Sequence, residues 1–363
     1  MESPLRYFAE LRDPRVERTR EHLLEEILLM TIAAVLSGAG SWNEIEGYCK
    51  AKHLWLKTFL KLPGGVPSHD TFNRVISALD PDELEKGFAQ WVGSIATLTA
   101  GEVIAIDGKT LRGTREAGGK LVHMVSAWAS ANHLVLGQRK VEEKSNEINA
   151  IPRLLDALEL SGTVVTIDAM GCQRSIAEQI VEKKADYVLS VKDNQGCLLD
   201  GIKDSFQMLT VDAVAEEIDC GHGRVESRRC SVIADLSLLE KYTEWASLQG
   251  LVRIEAERYH KATGKTERET RFYITSMKPN AALLNTIIRQ HWGIENKLHW
   301  VLDVGFGEDL CRKRQGNAAQ NFSVINRIAL NLLKQDNTCK LGIKGKRIQA
   351  GWNNDYMLQL VGK

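Results

Sequence analysis

From Glu21 to Ser37 the apolar residues recur at helical spacing, and Gly38 and Gly40 end the run. Ser41 with Glu44 has the spacing of a capping box for a following helix that carries Ile45, Tyr48, Leu54, Trp55 and Leu56. Leu62-Pro-Gly-Gly-Val-Pro67 reads as a tight connection. Ser68 can then cap a short helix with Phe72, Val75 and Ile76 on one face and His69, Asp70, Asn73 and Arg74 on the other. Asp80-Pro81 opens another helix that reaches about Ile95. Before all of these, Arg6, Arg12, Arg15, Arg18 and Arg20 alternate with acids in what reads as a polar arm. Residues 1–98 thus predict an all-helical N-terminal domain. A helix, a Gly/Pro turn and a short polar helix suit a DNA-reading helix-turn-helix, and equally a bundle whose polar faces are merely solvated.

After Thr99-Ala-Gly the period becomes strand-like. Strands are expected at Val103–Lys109, His123–Ser130 and Leu134–Val141, with Asn132-His133 at a hairpin turn. A helix over Glu147–Leu160 tolerates Pro152 in its first turns. Then come a strand at Thr163–Met170, a helix at Gln173–Lys184 and a strand at Ala185–Lys192. Three strands on short links followed by strand–helix alternation predict a mixed sheet, the first three strands antiparallel and the later ones parallel. No Gly-rich phosphate loop follows the first strand, which argues against a dinucleotide-binding fold. Arg228–Ile233, Leu251–Glu257 and Thr270–Thr275 read as strands of a β-rich insertion spanning about 195–278. Pro279-Asn280 then starts a long helical stretch, Ala318–Lys334 is amphipathic, and residues 336–363 form a basic tail with Lys340, Lys344, Lys346 and Arg347. The fold class is therefore α/β, with a catalytic-type domain over 99–335.

Composition adds little. The 363 residues are 44% hydrophobic and 26% charged, and 47 Lys plus Arg balance 47 Asp plus Glu, so net charge gives no sign of a nucleic-acid partner. Seven scattered cysteines fit a reducing cytoplasm. Cys220, His222 and Cys230 could offer three zinc ligands, but no fourth is near. No signal peptide is expected, and the apolar stretch Ile27–Leu36 is too short to cross a bilayer.

The chemistry sits at the strand ends. Val103-Ile-Ala-Ile runs into Asp107, and Thr163-Val-Val-Thr-Ile runs into Asp168. A carboxylate at the end of a strand buried on both faces is costly unless it is neutralised, and a divalent metal is the usual remedy. In Arg289–Asp303, helical spacing puts His291, Glu295 and His299 on one face. A glutamate aimed from there at the sheet would complete a three-carboxylate site for Mg²⁺ or Mn²⁺.

The motifs Ala-Ile-Asp-Gly-Lys-Thr110, Thr-Ile-Asp-Ala-Met-Gly-Cys-Gln173, His-Trp-Gly-Ile-Glu-Asn-Lys-Leu-His-Trp300 and Val-Leu-Asp-Val-Gly-Phe-Gly-Glu-Asp309 occur in this order, after Tyr7-Phe-Ala-Glu-Leu-Arg-Asp-Pro-Arg15. Together they resemble the DDE transposases of bacterial insertion sequences, in the H-repeat-associated (ISAs-type) branch, over about Tyr7 to Leu333. The resemblance implies a ribonuclease-H-like core interrupted by a β-rich insertion, with Asp107, Asp168 and Glu295 as catalytic acids and metal ligands. Asp303, Glu308 and Asp309 are neighbouring acids in the same motif region. Asp107 would be shared between two Mg²⁺ or Mn²⁺ ions, with Asp168 and Glu295 on one each. Related families place a Tyr, an Arg and a Lys around the glutamate; here His291 stands at the Arg position and Leu302 at the Lys position, so those phosphate contacts have no counterpart.

The implied partner is double-stranded DNA, at transposon ends and target, with a homodimer on DNA, no membrane, and a cytoplasmic protein that joins the nucleoid when bound. Lys109, Arg112, Lys192, Asn194, Gln195, His291, His299, Arg312 and Arg314 are the expected DNA-contacting residues. His123 reads as a satisfied core or edge histidine, and Trp128, Trp292 and Trp300 as core. A catalytically idle DNA-binding remnant and a nuclease without strand transfer are the alternative functions.

Overall fold

The computed structural model describes residues 3–114, 121–142, 147–221, 223–242 and 244–362. Helices α1 (Leu24–Leu36), α2 (Trp42–Ala51), α3 (His53–Leu56), α4 (His69–Ala78) and α5 (Pro81–Ile95) come first. The expected caps are used. Ser41 Oγ accepts from the Glu44 N–H at 3.2 Å while the Glu44 carboxylate takes the Ser41 N–H at 2.8 Å. Asp80 Oδ1 accepts from the N–H groups of Asp82 and Glu83. The expected second helix breaks at Lys52, and Leu54 lies exposed. The Arg-rich start is not a free arm. Phe8 is buried on α5, where a Cβ on Gly87 would meet its ring at 2.7 Å.

Among the described residues, strands β1 (Val103–Leu111), β2 (Val122–Ala129), β3 (Leu134–Lys140), β4 (Val164–Ile167), β5 (Asp186–Val191), β6 (Ala213–Gly221), β7 (Arg224–Ile233), β8 (Gly250–His260) and β9 (Lys265–Thr275) form one sheet in the order β3-β2-β1-β4-β5-β9-β8-β7-β6. Strands β1, β4 and β5 are parallel and the remaining pairs antiparallel, so the sheet is mixed as expected. Helices α6 (Glu147–Asp156), α7 (Arg174–Glu182) and α8 (Gly196–Met208) lie between strands.

The insertion differs from expectation. It is not an appendage, because β9 pairs with β5 (Val191 opposite Phe272) and the whole β-rich segment prolongs the central sheet. It also contains α8 and β6, which the pattern did not reveal; β6 is largely exposed and so lacks apolar alternation. Cys220 lies opposite Val225 and Cys230 opposite Ala215. Five residues along a strand put the two thiols roughly 16 Å apart, too far for one zinc ion, and His222 lies outside the described residues.

The chain ends with α9 (Ala281–His291), a π turn over Glu295–His299, α10 (Trp300–Phe306), α11 (Ala318–Gln335), α12 (Ile343–Trp352) and α13 (Asn354–Val361). Alternation along β1 divides the packing. Val103 faces Leu284, Ile287 and Ile288 of α9, whereas Ile104 and Ile106 join the main core with Ile151 and Leu154 of α6. That main core also contains α1, α4 and α5, so the helices of residues 1–98 and the sheet share one apolar interior. Among the described residues no helix is long and apolar enough to cross a membrane.

Helix α11 fastens these layers. It is buried from Ala318 to Leu333. Asn331 bonds both backbone groups of Val135 on edge strand β3, at 3.0 and 2.9 Å. Asn321 donates to the carbonyls of Ile76 and Leu79 at the end of α4. Arg327, fully buried, pairs with Glu308 at 2.8 Å and donates to Ser126 of β2. The segment expected as a basic tail is helical, and two of its cations are consumed inside the fold. Lys346 Nζ donates to the Leu333 carbonyl, and the Arg347 guanidinium donates to the Val35 carbonyl, each near the C-terminal end of a helix.

Removing one member of a buried ion pair leaves the other unpaired at a cost of about 3–5 kcal/mol. Glu308→Ala is therefore expected to lower the unfolding free energy by about that amount, read from the urea midpoint. A loss under about 1 kcal/mol, the scale of an exposed pair, would show that the Arg327 network holds little of the fold.

Candidate active site

Strands β1 and β4 pair in parallel from Val103 opposite Val164 to Ile106 opposite Ile167. The next residue on each strand is Asp107 and Asp168, so one register brings the two carboxylates side by side. Asp168 ends its strand and caps the turn Ala169–Gly171, its Oδ1 accepting from the Met170 N–H at 3.0 Å. Burial pushes the Asp107 carboxyl up to about 7; the Gly108 N–H works against this, and the charges of Asp168, Glu147 and Glu295 reinforce it. Asp168 is raised too, first by burial and then by the charge of Glu147.

Glu295 comes from the other side. In the π turn that bears it, His299 falls back over Glu295, an arrangement frequent at functional sites. His299 is only 4% exposed at its side chain, with Nδ1 3.0 Å from Glu295 Oε2 and 3.6 Å from Asp107 Oδ2. Asp107, Glu295 and His299 each present a ligand atom within 4.8 Å of the others. A cavity of about 200 Å³ is lined by Asp107, Asp168, Glu295, His291, Lys192 and Arg271, among others. The three expected acids thus border one space. Three oxygen donors and one imidazole suit a hard divalent cation that tolerates nitrogen. Burial holds the His299 imidazole below its ordinary range, hence neutral, and its Nε2 has no hydrogen-bond partner among the described residues.

The remaining expected residues are scattered around this space. His291 Nδ1 hydrogen-bonds Thr166 Oγ1 of β4 at 2.9 Å. Asn194 and Gln195 donate to the carbonyls of Ala169 and Cys172 and so brace the loop after Asp168. Lys109 is buried, paired with Asp303 and lying 3.9 and 3.8 Å from Glu308 and Asp309. Arg112 and Arg312 are exposed, and Arg314 donates to the Gly113 carbonyl. Trp128 is core, but Trp292 and Trp300 are exposed, against expectation; the Arg271 guanidinium lies 4.3 Å over the Trp292 ring.

Two residues were missed. Continuing the antiparallel β5–β9 register from Val191 opposite Phe272 makes Arg271 the cross-strand neighbour of Lys192, which only the pairing of the insertion reveals. The other is Glu147, the first residue of α6. Its Oε1 lies 2.6 Å from His123 Nε2, and His123 Nδ1 is 2.8 Å from Thr110 Oγ1. The one local signal was the glycine directly after Asp107.

Residues 99–332 match the model of the transposase DDE domain, and residues 5–92 match the model described as DDE_Tnp_1-associated. The chain is 40% identical over 371 residues to the "Putative transposase YncI" of Escherichia coli O157:H7, covering 99% of this chain and 95% of that one. It is 39% identical over 354 residues to the "H repeat-associated putative transposase YhhI" of Escherichia coli strain K12, covering 94% and 93%. A piggyBac transposase synaptic complex with hairpin DNA aligns with 98% of this chain and 76% of its own, at 12% identity and a TM-score of 0.46.

The raised Asp107 carboxyl has a consequence for stability. Between its ordinary value of 3.8 and about 7, the folded chain keeps a proton that the unfolded chain has lost, so stability falls as pH rises across that window. In chelator, Asp107→Asn should gain thermal stability relative to wild type from pH 4 to 7, and the gap should stay constant above. Parallel melting curves for the two proteins would remove the strain assigned to Asp107.

Proposed function

The chain belongs to the DDE transposase family, and from that premise we propose that it binds the terminal inverted repeats of an insertion sequence and performs metal-dependent strand cleavage and strand transfer. The reading is carried by the register-matched pair Asp107 and Asp168 sharing one cavity with Glu295. Under it, β3-β2-β1-β4-β5 is a ribonuclease-H-like core, since that order, with the first three strands antiparallel and the next two parallel to β1, delivers acids to the carboxyl ends of adjacent central strands.

In this reading Asp107, Asp168 and Glu295 hold Mg²⁺ or Mn²⁺, which when bound stabilises charge on the attacking and leaving oxygens of a phosphodiester. The chain's own groups do the rest. His299 holds Glu295 toward Asp107. Asn194 and Gln195 fix the loop that carries Asp168. Lys192 and Arg271, on the cavity wall, supply positive charge for a phosphate backbone. Arg112, Arg312 and Arg314, near the loop after β1, extend that contact. Joining two element ends calls for two copies of the chain on DNA.

Asp107→Asn should abolish strand cleavage of linear DNA carrying the flanking repeats while leaving the gel shift of those ends largely intact. Wild type is expected to give joined products. Cut products alone would make the protein a nuclease, and a shift without cutting a DNA-binding remnant. Cleavage by Asp107→Asn in Mg²⁺ would remove this aspartate from the reaction.

A further inference from the structure

Gly108 follows Asp107 on β1, and its missing side chain leaves a gap that another carboxylate fills. A Cβ at this position would lie 2.1 Å from Glu147 Oε1 and 2.6 Å from His123 Nε2. Asp107 shares its face of β1 with Val103, toward α9, so Gly108 lies on the opposite face, toward α6. Glu147 therefore crosses the end of β1 on the side away from Glu295. We propose that Glu147 is a fourth carboxylate of this centre, contributing a cation-holding oxygen from the α6 face. The inference rests on the metal-dependent reading given above.

Four observations support it. Glu147 is the largest charge influence on Asp168, and it also acts on Asp107, so it lies close to both aspartates without a ladder position on either strand. Its carboxylate is mostly buried, and its partner is a histidine, not a lysine or arginine. That histidine is itself anchored to β1 through Thr110. Carboxylates that bind metal are commonly steadied by such a hydrogen bond, and the Thr110–His123–Glu147 chain has that form. Finally, His299 on the opposite face is 3% exposed and leaves a ring nitrogen unpartnered, an independent sign of a ligand missing from the same centre.

Charge balance points the same way. Asp107, Asp168, Glu295 and Glu147 together bring four negative charges to the ends of two strands. Lys109, the nearest cation along β1, is already surrounded by Asp303, Glu308 and Asp309. Two divalent ions would neutralise the four carboxylates, whereas three acids would leave such a pair under-compensated before DNA arrives.

Mn²⁺ uptake by the full chain, followed at neutral pH through the electron paramagnetic resonance signal of the free ion, tests this without reference to activity. Glu147→Gln should weaken Mn²⁺ binding by roughly tenfold to a hundredfold, the range seen when a metal site loses a supporting group. Gly108→Ala should do the same although it alters no acid, because its methyl group displaces only the flexible ends of Glu147 and His123. It also keeps the test alive if Glu147→Gln does not fold. Asp107→Asn is the positive control for loss of binding. Wild-type midpoint and stoichiometry in both Glu147→Gln and Gly108→Ala, with loss in Asp107→Asn, would overturn the role of Glu147 and spare the metal reading. A wild-type chain that takes up no Mn²⁺ would overturn the metal reading, and this inference with it.

Discussion

The parallel pairing of β1 with β4 is the constraint from which the site follows. In a strand the side chains alternate faces, so a slip of one residue would turn a carboxylate from the cavity to the opposite face. The register is pinned at the far end of the strands. The Gly101 N–H donates to the Gly162 carbonyl at 2.7 Å, and the Val164 N–H donates to the Glu102 carbonyl at 2.8 Å. Both glycines have positive φ, at +81° and +76°, which tight turns require. Glu102, buried, takes the N–H groups of Ala131 and Asn132 and so ties the start of β1 to the turn after β2. Side chains far from the cavity thus determine which residues reach it.

The second condition is that the acidic helix be held against that sheet, and here α11 and the ion network around it matter. Arg327 joins β2 to the segment after α10 through Ser126 and Glu308. Lys109, two residues beyond Asp107, reaches the same acids from β1. A buried network of this kind is weak evidence for net stability, because desolvation offsets much of its attraction, but it penalises any arrangement that leaves one member alone. It therefore fixes the distance between β1 and the segment that follows Glu295. Drawing Lys109 out toward a phosphate would unpair three acids, so its geometry suits the role of a strut better than that of a mobile DNA contact.

Much of this was legible in the chain because the signals are local. Apolar runs ending in a single aspartate marked Asp107 and Asp168, the Ser41–Glu44 and Asp80-Pro81 caps marked helix starts, and i, i+4 spacing linked Glu295 to His299. What escaped depends on pairing between distant segments. No periodicity in residues 195–278 reveals that β9 will lie beside β5, and β6 is too exposed to alternate. Lys346 and Arg347 look like solvated charge until the helix ends they satisfy are in place. Glu147 reads as an ordinary first residue of a helix until Gly108 is known to lie beneath it.

The insertion's place in the sheet alters what it does for the site. As a separate lobe it could touch DNA but could not shape the cavity. As a continuation of the sheet it forms the cavity wall, because β9 aligned with β5 sets Arg271 beside Lys192, on the wall that faces the acids. A cation held in a strand pair cannot swing away as a loop lysine can, and Arg271 is further fixed by Glu269 and by the face of Trp292. The acids alone repel a phosphodiester. Arginine and lysine on a rigid neighbouring strand offset that repulsion at a set distance, so the β-rich segment has a reason to be built into the sheet: it supplies the positive half of a centre whose negative half lies at the ends of β1 and β4.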